Sequence, residues 1–303
     1  MTSALVAEGG KAPVVVEKRA LLADVLAATR TAGGRVVLVP TMGALHDGHA
    51  ALIRTARELA PEDLVVVSIF VNPMQFGPGE DLDVYPRTFE KDLDVCTAEG
   101  ADLVFAPSVP EVYPAGEPQV MIEPGPLATI LEGRTRPTHF RGVLTVVAKL
   151  FGLVRPDLAV FGQKDYQQLV LVRRMVEDLC MGIEVVGAET VREPSGLALS
   201  SRNRYLDAEQ RLQALALSRA LGAAAEAARY GADHALAAAH AVLGQTDGLE
   251  LDYLALTAPD LGDPPASGAA RMLVAARVGT TRLIDNTALV LGASTISPEQ
   301  ENS

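Results

Sequence analysis

Five apolar, mostly β-branched runs alternate with segments of helical length over the first 190 residues. The runs cover residues 35–40, 64–71, 102–106, 158–161 and 183–186. Continuous apolar runs of this length predict strands buried on both faces, as in parallel sheets. The segments between them predict helices over residues 48–59, 88–99 (with Thr88 as N-cap), 140–154 and about 165–179. This alternation predicts an α/β fold with a doubly wound parallel sheet, preceded by about 15 residues without a clear period.

The pattern changes after residue 206. An Asp-Ala-Glu-Gln capping box at residues 207–210 opens an alanine-rich helix to about residue 230, and a second helix covers 233–243. Three strand-like runs follow at 249–256, 271–276 and 282–291. We therefore predict two domains, residues 1–190 and a smaller α+β domain of residues 191–303. The polar tail after about residue 293 is predicted to be disordered.

Charge and hydropathy narrow the class of protein. The formal net charge of -12 argues against a general nucleic-acid surface, which needs clustered Lys and Arg. Charged residues interrupt any signal-peptide pattern at the N-terminus, and the most apolar stretch, residues 143–154, is about half of what a bilayer requires. These features predict a soluble cytoplasmic protein without a membrane partner.

The two cysteines, Cys96 and Cys180, are far apart in the sequence. Their spacing fits neither a metal-binding knuckle nor a disulfide framework. Both are predicted to be buried free thiols.

The first chemical motif follows the first strand, in Pro-Thr-Met-Gly-Ala-Leu-His-Asp-Gly-His at residues 40–49. A helix start offers free N–H groups and a positive dipole end, which favour an anion. His46 and His49 are three residues apart, so one helical turn brings them to the same face, where both can donate hydrogen bonds to phosphate. A zinc pair and two purely structural histidines remain as alternatives.

Polar residues also follow two other strands. Asn72 and Gln75 follow the second strand, where neutral amides could bind a carboxylate or a hydroxyl in a crevice. Lys164 follows the fourth strand, where an ammonium group can meet a phosphate. Gln168 shares the face of Lys164, and Asp165 could steady the lysine or contact a ribose. Ordinary loop and helix-start residues are the alternative interpretation of both motifs.

Two further segments are candidates for anion binding. Ser200, Ser201 and Arg202 place two hydroxyls beside a guanidinium, which suits a triphosphate, although a serine-rich interdomain loop is equally consistent. Residues 134–141 form a small basic island that is either a substrate clamp or a solvated loop. The sequence contains no G-x-S-x-G elbow, phosphate-binding P-loop or G-x-G-x-x-G, which disfavours kinases and dehydrogenases.

Taken together, these motifs resemble the pantoate–β-alanine ligase family. The matching stretches are residues 39–49, 70–76, 85–88, 136–139, 161–168 and 200–204, and the resemblance extends over about residues 17–292. It implies a Rossmann-like domain of the class I synthetase and nucleotidyltransferase type, a C-terminal lid over the ATP site, and a homodimer.

The resemblance also implies a two-step reaction with ATP and Mg²⁺. The carboxylate of pantoate attacks the α-phosphorus of ATP and yields pantoyl adenylate and pyrophosphate. The amine of β-alanine then attacks the acyl carbon and releases AMP. No enzyme nucleophile is required, which agrees with the lack of a recognisable triad.

Roles for individual residues follow from the same resemblance. His49 is implied as the proton donor, with His46, Lys164, Ser200, Ser201 and Arg202 as further catalytic residues. Gln75, Gln168, Asn72 and His139 are implied to bind pantoate and β-alanine, and Asp92 is the magnesium candidate. The implied ATP contacts are Met42, Gly43, Ala44, Leu45, His46, Asp47, Gly48, His49, Gly162, Gln163, Lys164, Asp165, Val191, Leu199, Ser200, Ser201 and Arg202.

One residue departs from the family pattern. The usual Gly-Glu-Lys-Asp is Gly-Gln-Lys-Asp here, so Gln163 replaces a charged contact with a neutral one. Two other functions remain open: a nucleotidylyltransferase that keeps AMP on its product, and a silent nucleotide-binding regulator. A class I tRNA synthetase is disfavoured because no basic anticodon-binding domain is present.

Overall fold

The computed structural model describes residues 11–77, 82 and 85–292. It divides into two compact units, one comprising the chain up to Gln163 with Leu171–Glu189, the other comprising Lys164–Val170 with the chain from Thr190 onward. The predicted boundary after residue 190 lies next to this division, but the short segment Lys164–Val170 was not assigned to the second unit from the sequence. The tail after residue 293 lies outside the described residues.

The first unit is built on a parallel sheet, as predicted. Among the described residues its strands are β1 Val14–Val16, β2 Val36–Thr41, β3 Leu64–Ile69, β4 Leu103–Phe105, β5 Leu158–Gly162 and β6 Glu184–Ala188, in the order β1-β4-β3-β2-β5-β6. The strand order reverses between β2 and β5, which pair through Val37 and Leu158. The carboxyl ends of such a pair form the crevice where doubly wound sheets bind ligands.

The helices of this unit connect the strands. They are α1 Arg19–Thr31, α2 Asp47–Leu59, α3 Phe89–Ala98, α4 Val109–Val112, α5 Glu132–Thr135, α6 His139–Val154 and α7 Tyr166–Asp178, the last of which continues from the second unit. In the centre of the sheet, Val36 to Val39 have no exposed surface. Burial on both faces explains why these strands have apolar residues without alternation.

The sequence did not predict β1 or α1. Strand β1 has three residues at the sheet edge, and Val14 and Val15 are exposed, so no buried run marks it. In α1 only Leu22 and Leu26 are buried, which is too few positions to establish a helical period. The prediction for the cysteines was half right, since Cys96 is buried but Cys180 is exposed.

The second unit has the predicted α+β composition. Helices α8 Ala208–Ala227 and α9 Ala232–Gly244 accompany an antiparallel sheet of β7 Leu249–Thr257, β8 Gly268–Val278 and β9 Thr281–Leu291. Asp207 and Gln210 form the predicted capping box of α8. Met272 and Val274 alternate along β8 and join the core with Ala220, because small alanines let helix and sheet approach closely.

None of the described helices combines the length and apolar character needed to cross a membrane.

Candidate active site

The turn after β2 has an unusual backbone conformation. Gly43 (φ 78°) and Ala44 (φ 51°) both lie in the left-handed region, which is costly for an alanine. The Gly43 N–H donates to the Thr41 hydroxyl at 3.2 Å, and that hydroxyl donates to the Ser68 carbonyl at 2.7 Å. The end of β2 is thereby linked to β3.

The carboxylate of Asp92 on α3 organises this turn. It accepts hydrogen bonds from Ala44 N at 3.0 Å, from Leu45 N at 2.8 Å and from the Thr88 hydroxyl at 3.0 Å. Asp92 is 1% exposed, and a Cβ on Gly43 would lie 2.9 Å from its Oδ2. Thr88 occupies the predicted N-cap position, but its side chain bonds Asp92 and makes no cap hydrogen bond to the backbone.

The assignment of Asp92 as a magnesium ligand does not fit these contacts. Both of its oxygens already accept N–H groups, and the carboxylate is shielded from solvent. Mg²⁺ keeps several waters in its shell, which a carboxylate in this position could not accommodate without releasing the turn.

The two histidines of the turn cap helix α2 reciprocally. Gly48 N donates to Nδ1 of His46 at 3.1 Å, and His46 N donates to Nδ1 of His49 at 3.3 Å. The ring centroids are 4.2 Å apart, as the three-residue spacing predicted. Because each Nδ1 accepts an N–H, the proton of each neutral imidazole is on Nε2. The fold therefore selects the tautomer in which both rings donate through Nε2.

This capping revises the expected role of the helix N-terminus. The N–H groups of His49 and Ala50 donate to the His46 carbonyl, and the N–H of Gly48 donates to the His46 imidazole. The prediction of free N–H groups at this helix start is therefore wrong for these three residues. Both Nδ1 atoms therefore have a structural role, because each accepts a backbone N–H at the start of α2. A zinc site lacks support, since the described residues include no group of three or more His, Cys, Asp or Glu able to hold a metal.

Asn72 is a buried support for Gln75, not a residue facing a crevice as expected. It is 1% exposed, and its Nδ2 donates to Gln75 Oε1 and to the Gly142 carbonyl, both at 3.1 Å. Its Oδ1 accepts from the Tyr113 hydroxyl at 2.9 Å. Since Gln75 Oε1 is an acceptor here, the amide presents its NH₂ group, which lies 2.9 Å from Sδ of Met42.

His139 supports the same segment from α6. Its Nδ1 lies 3.0 Å from the Gln75 carbonyl, which can only accept, so Nδ1 carries a proton. Its Nε2 lies 3.1 Å from Arg136 Nη1, which can only donate, so Nε2 is the acceptor in this contact. A Cβ on Gly142 would lie 2.2 Å from the Met74 carbonyl, and this close approach places α6 against residues 73–75.

Gln163, the residue that departs from the family pattern, follows the end of β5. Its Nε2 donates to the Gly187 carbonyl at 2.9 Å and to Glu189 Oε1 at 3.1 Å. A glutamate could make neither bond and would face a carboxylate. Gln163 therefore joins the ends of β5 and β6.

In the second unit, Lys164 and Ser200 line one small concavity together with Asn203, Asp285 and several apolar side chains. The ammonium of Lys164 is 4.0 Å from Asp165 Oδ1, and its side chain is 19% exposed. Lys164 belongs to a short 3₁₀ turn that precedes α7 and does not open the helix itself. Gln168 lies partly buried in the first turn of α7.

The predicted phosphate-binding loop is a capped turn. The Ser200 hydroxyl accepts from Arg202 N at 3.2 Å and begins the 3₁₀ turn Ser201–Tyr205. Leu199 N donates to the Val191 carbonyl at 2.9 Å, which joins the two ends of the preceding loop. Ser201 and Arg202 are partly buried.

A polar network that was not predicted from the sequence holds Lys164. Asn286 on β9 donates to the Lys164 carbonyl at 2.9 Å and accepts from Arg271 Nε at 2.8 Å. The Arg271 guanidinium stacks 3.9 Å from the Tyr166 ring centre. Asp285 forms a two-pronged ion pair with Arg192 at 2.6 and 3.0 Å. Two adjacent polar residues inside the apolar run 282–291 were the available signal.

Each unit thus gathers one set of the predicted residues. In the first unit the turn at Met42 to His49 contacts Gln75, which Asn72 and His139 support. In the second unit Lys164 and Ser200 share a concavity.

A protein-family comparison matches residues 14–288 to the model described as pantoate-beta-alanine ligase. A relative named pantothenate synthetase from Nocardioides sp. is 66% identical over 289 residues, covering 93% of this chain and 86% of the relative. A second relative of that name from Mycolicibacterium smegmatis is 60% identical and covers 90% of this chain and 87% of the relative.

Solved structures show the same similarity. The pantothenate synthetase of Thermus thermophilus has a TM-score of 0.83 at 49% identity, over 90% of this chain and 98% of that one. A pantoate-beta-alanine ligase from Francisella tularensis, complexed with beta-gamma ATP and beta-alanine, has a TM-score of 0.75 at 32% identity and covers 91% and 97%.

Proposed function

Because the chain belongs to the pantoate–β-alanine ligase family, we propose how its own residues carry out the ATP-dependent condensation of pantoate with β-alanine. The reaction forms pantoyl adenylate first and the amide second. A carboxylate must approach a polyanionic nucleotide in the first step. The task of the protein is therefore to orient two anions and to offset their repulsion.

His46 and His49 act on the phosphates. Each ring keeps its Nδ1 on a backbone N–H and directs a proton-bearing Nε2 away from the cap. A neutral donor fixed in this way strengthens its hydrogen bond as negative charge grows on the phosphate oxygens during attack. His49, which the resemblance implies as the proton donor, is proposed to donate a hydrogen bond through Nε2 without releasing the proton, because a neutral imidazole whose Nδ1 accepts would otherwise become an anion.

Lys164, Ser200, Ser201 and Arg202, all in the second unit, are proposed to bind the phosphates of ATP. Lys164 and Ser200 line the same small concavity, so their side chains are close enough to act on one phosphate chain. An ammonium and a guanidinium form charge-assisted hydrogen bonds to phosphate, which are about twice as strong as neutral ones. The backbone segments at Gly162 to Asp165 and at Val191 are proposed to contact the nucleoside.

Gln75 and Gln168 hold pantoate. The NH₂ group of Gln75 is the end that Asn72 leaves to the substrate, and an amide donor can bind a carboxylate or hydroxyl without adding charge. Asn72 and His139 support this pocket through their contacts to Gln75 and do not themselves bind substrate.

Mg²⁺ is proposed to enter as part of the ATP substrate complex. Hard oxygen ligands suit this ion, and substrate phosphates commonly provide most of them. The contacts of Asp92 do not fit a metal ligand, so we assign no protein ligand to the ion and no step to it.

The observation that carries this proposal is the reciprocal capping of His46 and His49 at the carboxyl end of β2. The direct test mixes the protein with MgATP, pantoate and β-alanine and measures pantothenate, AMP and pyrophosphate. With MgATP and pantoate but no β-alanine, we expect the release of pyrophosphate. Free AMP should appear only after β-alanine is added. A nucleotidylyltransferase would instead retain AMP on its product, and a silent regulator would release neither.

The enzyme is further proposed to be a cytoplasmic homodimer, as the family resemblance implies. Sedimentation equilibrium at micromolar concentration tests the oligomeric state. A mass near the chain's 31.9 kDa would reject the dimer.

A further inference from the structure

We propose that Asp92 is a positioning residue that fixes the turn carrying His46 and His49, and that it is not a ligand of Mg²⁺. The proposal rests on the proposed function, because the turn it fixes is the one assigned to ATP. It assigns a role in catalysis to a residue that touches neither substrate nor metal.

Two backbone N–H groups of the turn donate to the same buried carboxylate. The turn has positive φ at positions 43 and 44, and the N–H groups of Ala44 and Leu45 converge on one carboxylate. This carboxylate is that of Asp92, with N–H···O distances of 3.0 and 2.8 Å. The protein's own side chain therefore occupies the place that a phosphate could otherwise take.

Burial makes this arrangement specific to a carboxylate. Asp92 is 1% exposed and also accepts the Thr88 hydroxyl, so three donors offset the cost of burying its charge. Gly43 completes the fit, since a Cβ there would lie 2.9 Å from Oδ2. An amide at position 92 would place an NH₂ group against a backbone N–H, and one bond would become a repulsion.

The consequence for catalysis is the placement of both imidazoles. The turn leads directly into His46, and the backbone N–H of His46 holds His49. If the turn relaxes, both Nε2 atoms lose their fixed direction, and a displacement of about 1 Å can cost about a hundredfold in rate. Nucleotide binding, which also uses Lys164 and Arg202, should suffer less.

The test compares Asp92→Asn with Asp94→Asn, an exposed aspartate two residues further along α3. Adenylation is measured as pyrophosphate release with ATP and pantoate, as a function of Mg²⁺ concentration. We expect kcat of Asp92→Asn to fall about tenfold to a hundredfold with an unchanged half-saturating Mg²⁺ concentration. Asp94→Asn should behave as the unaltered enzyme.

Backbone hydrogen exchange gives a readout that does not depend on activity. Amide exchange at residues 44 and 45 should be at least about tenfold faster in Asp92→Asn than in Asp94→Asn, because a lost hydrogen bond removes about 1.4 kcal/mol or more of local protection. Thr88→Val, which removes only the hydroxyl donor, should give a smaller change in the same direction. This milder variant serves as the test if Asp92→Asn does not fold.

Two outcomes would overturn the proposal. A raised half-saturating Mg²⁺ concentration, with kcat restored at high Mg²⁺, would make Asp92 a metal ligand. Unchanged amide exchange at residues 44 and 45 would show that the carboxylate does not hold the turn. If the unaltered enzyme forms no adenylate while exchange responds as expected, the proposed function fails and the structural role of Asp92 stands.

Discussion

The turn at residues 41–49 and the turn at Lys164 are both held by a side chain from elsewhere in the chain. The backbone donates the hydrogen bonds in the first turn and accepts one in the second. In the first, two backbone N–H groups donate to the buried carboxylate of Asp92. In the second, a backbone carbonyl accepts from the neutral amide of Asn286. Both arrangements use a side chain from a distant part of the chain to hold a loop that follows a strand of the parallel sheet.

The difference lies in what each turn leaves for a ligand. Asp92 accepts the N–H groups of Ala44 and Leu45, so in the proposed function the first turn meets the phosphates with the neutral imidazoles of His46 and His49. Asn286 binds the carbonyl of Lys164, and the ammonium lies 4.0 Å from Asp165 Oδ1. The first turn also depends on one carboxylate, whereas the second is held by a network that includes Arg271 and Tyr166. In the proposed function, side-chain donors therefore bind the anion in place of the backbone N–H groups that usually do so at a strand-to-helix turn.

The largest expected effect comes from removing the charge of the second turn. Lys164→Ala should reduce adenylation by more than the roughly 10²–10³-fold expected for one neutral donor, because an ammonium–phosphate contact is charge-assisted. Pyrophosphate release with ATP and pantoate measures it, with exposed Lys91→Ala as the control. If Lys164→Ala reduced the rate of adenylation no more than His49→Asn does, the two turns would not differ in the strength of their phosphate contacts.

The first turn is tested by separating the two nitrogens of one imidazole. In His49→Asn, Oδ1 can still accept from His46 N while the Nε2 donor is lost; in His49→Gln, a donor can remain near Nε2 while the cap is lost. We expect adenylation to fall about 10²–10³-fold in His49→Asn with ATP affinity nearly unchanged. The free energy of unfolding, measured by thermal unfolding, should fall more in His49→Gln than in His49→Asn. The expected difference is the cost of a lost helix cap, about 1 kcal/mol. Equal losses of rate and of ATP affinity in His49→Asn would reject the role in the transition state.

A smaller effect is expected from the support of Lys164. Asn286→Asp keeps an acceptor for Arg271 but loses the donor to the Lys164 carbonyl, and an unsatisfied buried group costs about 1–3 kcal/mol. Adenylation should therefore fall about tenfold. Val290→Thr, at a position 75% exposed on the same strand, is the control. If Asn286→Asp matches this control in steady-state kinetics and thermal unfolding, the network does not position Lys164.

The smallest effect concerns Cys96, one helical turn after Asp92. Burial, and secondly the charge of Asp92, raise the pKa of the Cys96 thiol from its ordinary value of 9.0 to about 12. The folded protein therefore holds this proton more tightly than the unfolded chain does, and the free energy of unfolding should fall as pH rises from about 9 to about 12. Urea unfolding between pH 8 and pH 10.5 should show this slope, and Cys96→Ala should flatten it.

Thiol labelling at pH 8 checks the same region independently. Exposed Cys180 should react rapidly in the folded protein, while Cys96 should react only after unfolding. Two rapidly reacting thiols in the folded protein would contradict the burial of α3 against the sheet.

The sequence predicted which residues belong to the candidate site, but it predicted few of the hydrogen bonds that they make. Spacing alone placed His46 and His49 together, since a helical turn relates residues three apart. It could not show that their Nδ1 atoms cap the helix, because that depends on the backbone path through Gly43 and Ala44. For the same reason Asn72 was placed facing a crevice, although burial turns it inward to Gln75 and Tyr113.

The fold shows the same division. Long apolar runs and an Asp-to-Gln capping box specify strands and helices locally, because the hydrophobic period and the cap lie within a few residues. Strand β1 and helix α1 escaped detection, since three residues at a sheet edge carry too little pattern. The assignment of Lys164–Val170 to the second unit also has no local signal.

The sequence by itself determined the alternation of strands and helices, the family, and the residue types proposed to meet ATP, because each is written in spacing over a few positions. Only the tertiary structure decided what Asp92, Asn72 and Asn286 do. Asp92 bonds Ala44 across 48 residues of chain, Asn72 bonds Gly142 across 70, and Asn286 bonds Lys164 across 122. Hydrogen bonds over such separations depend on how the whole chain packs, and no local pattern encodes them.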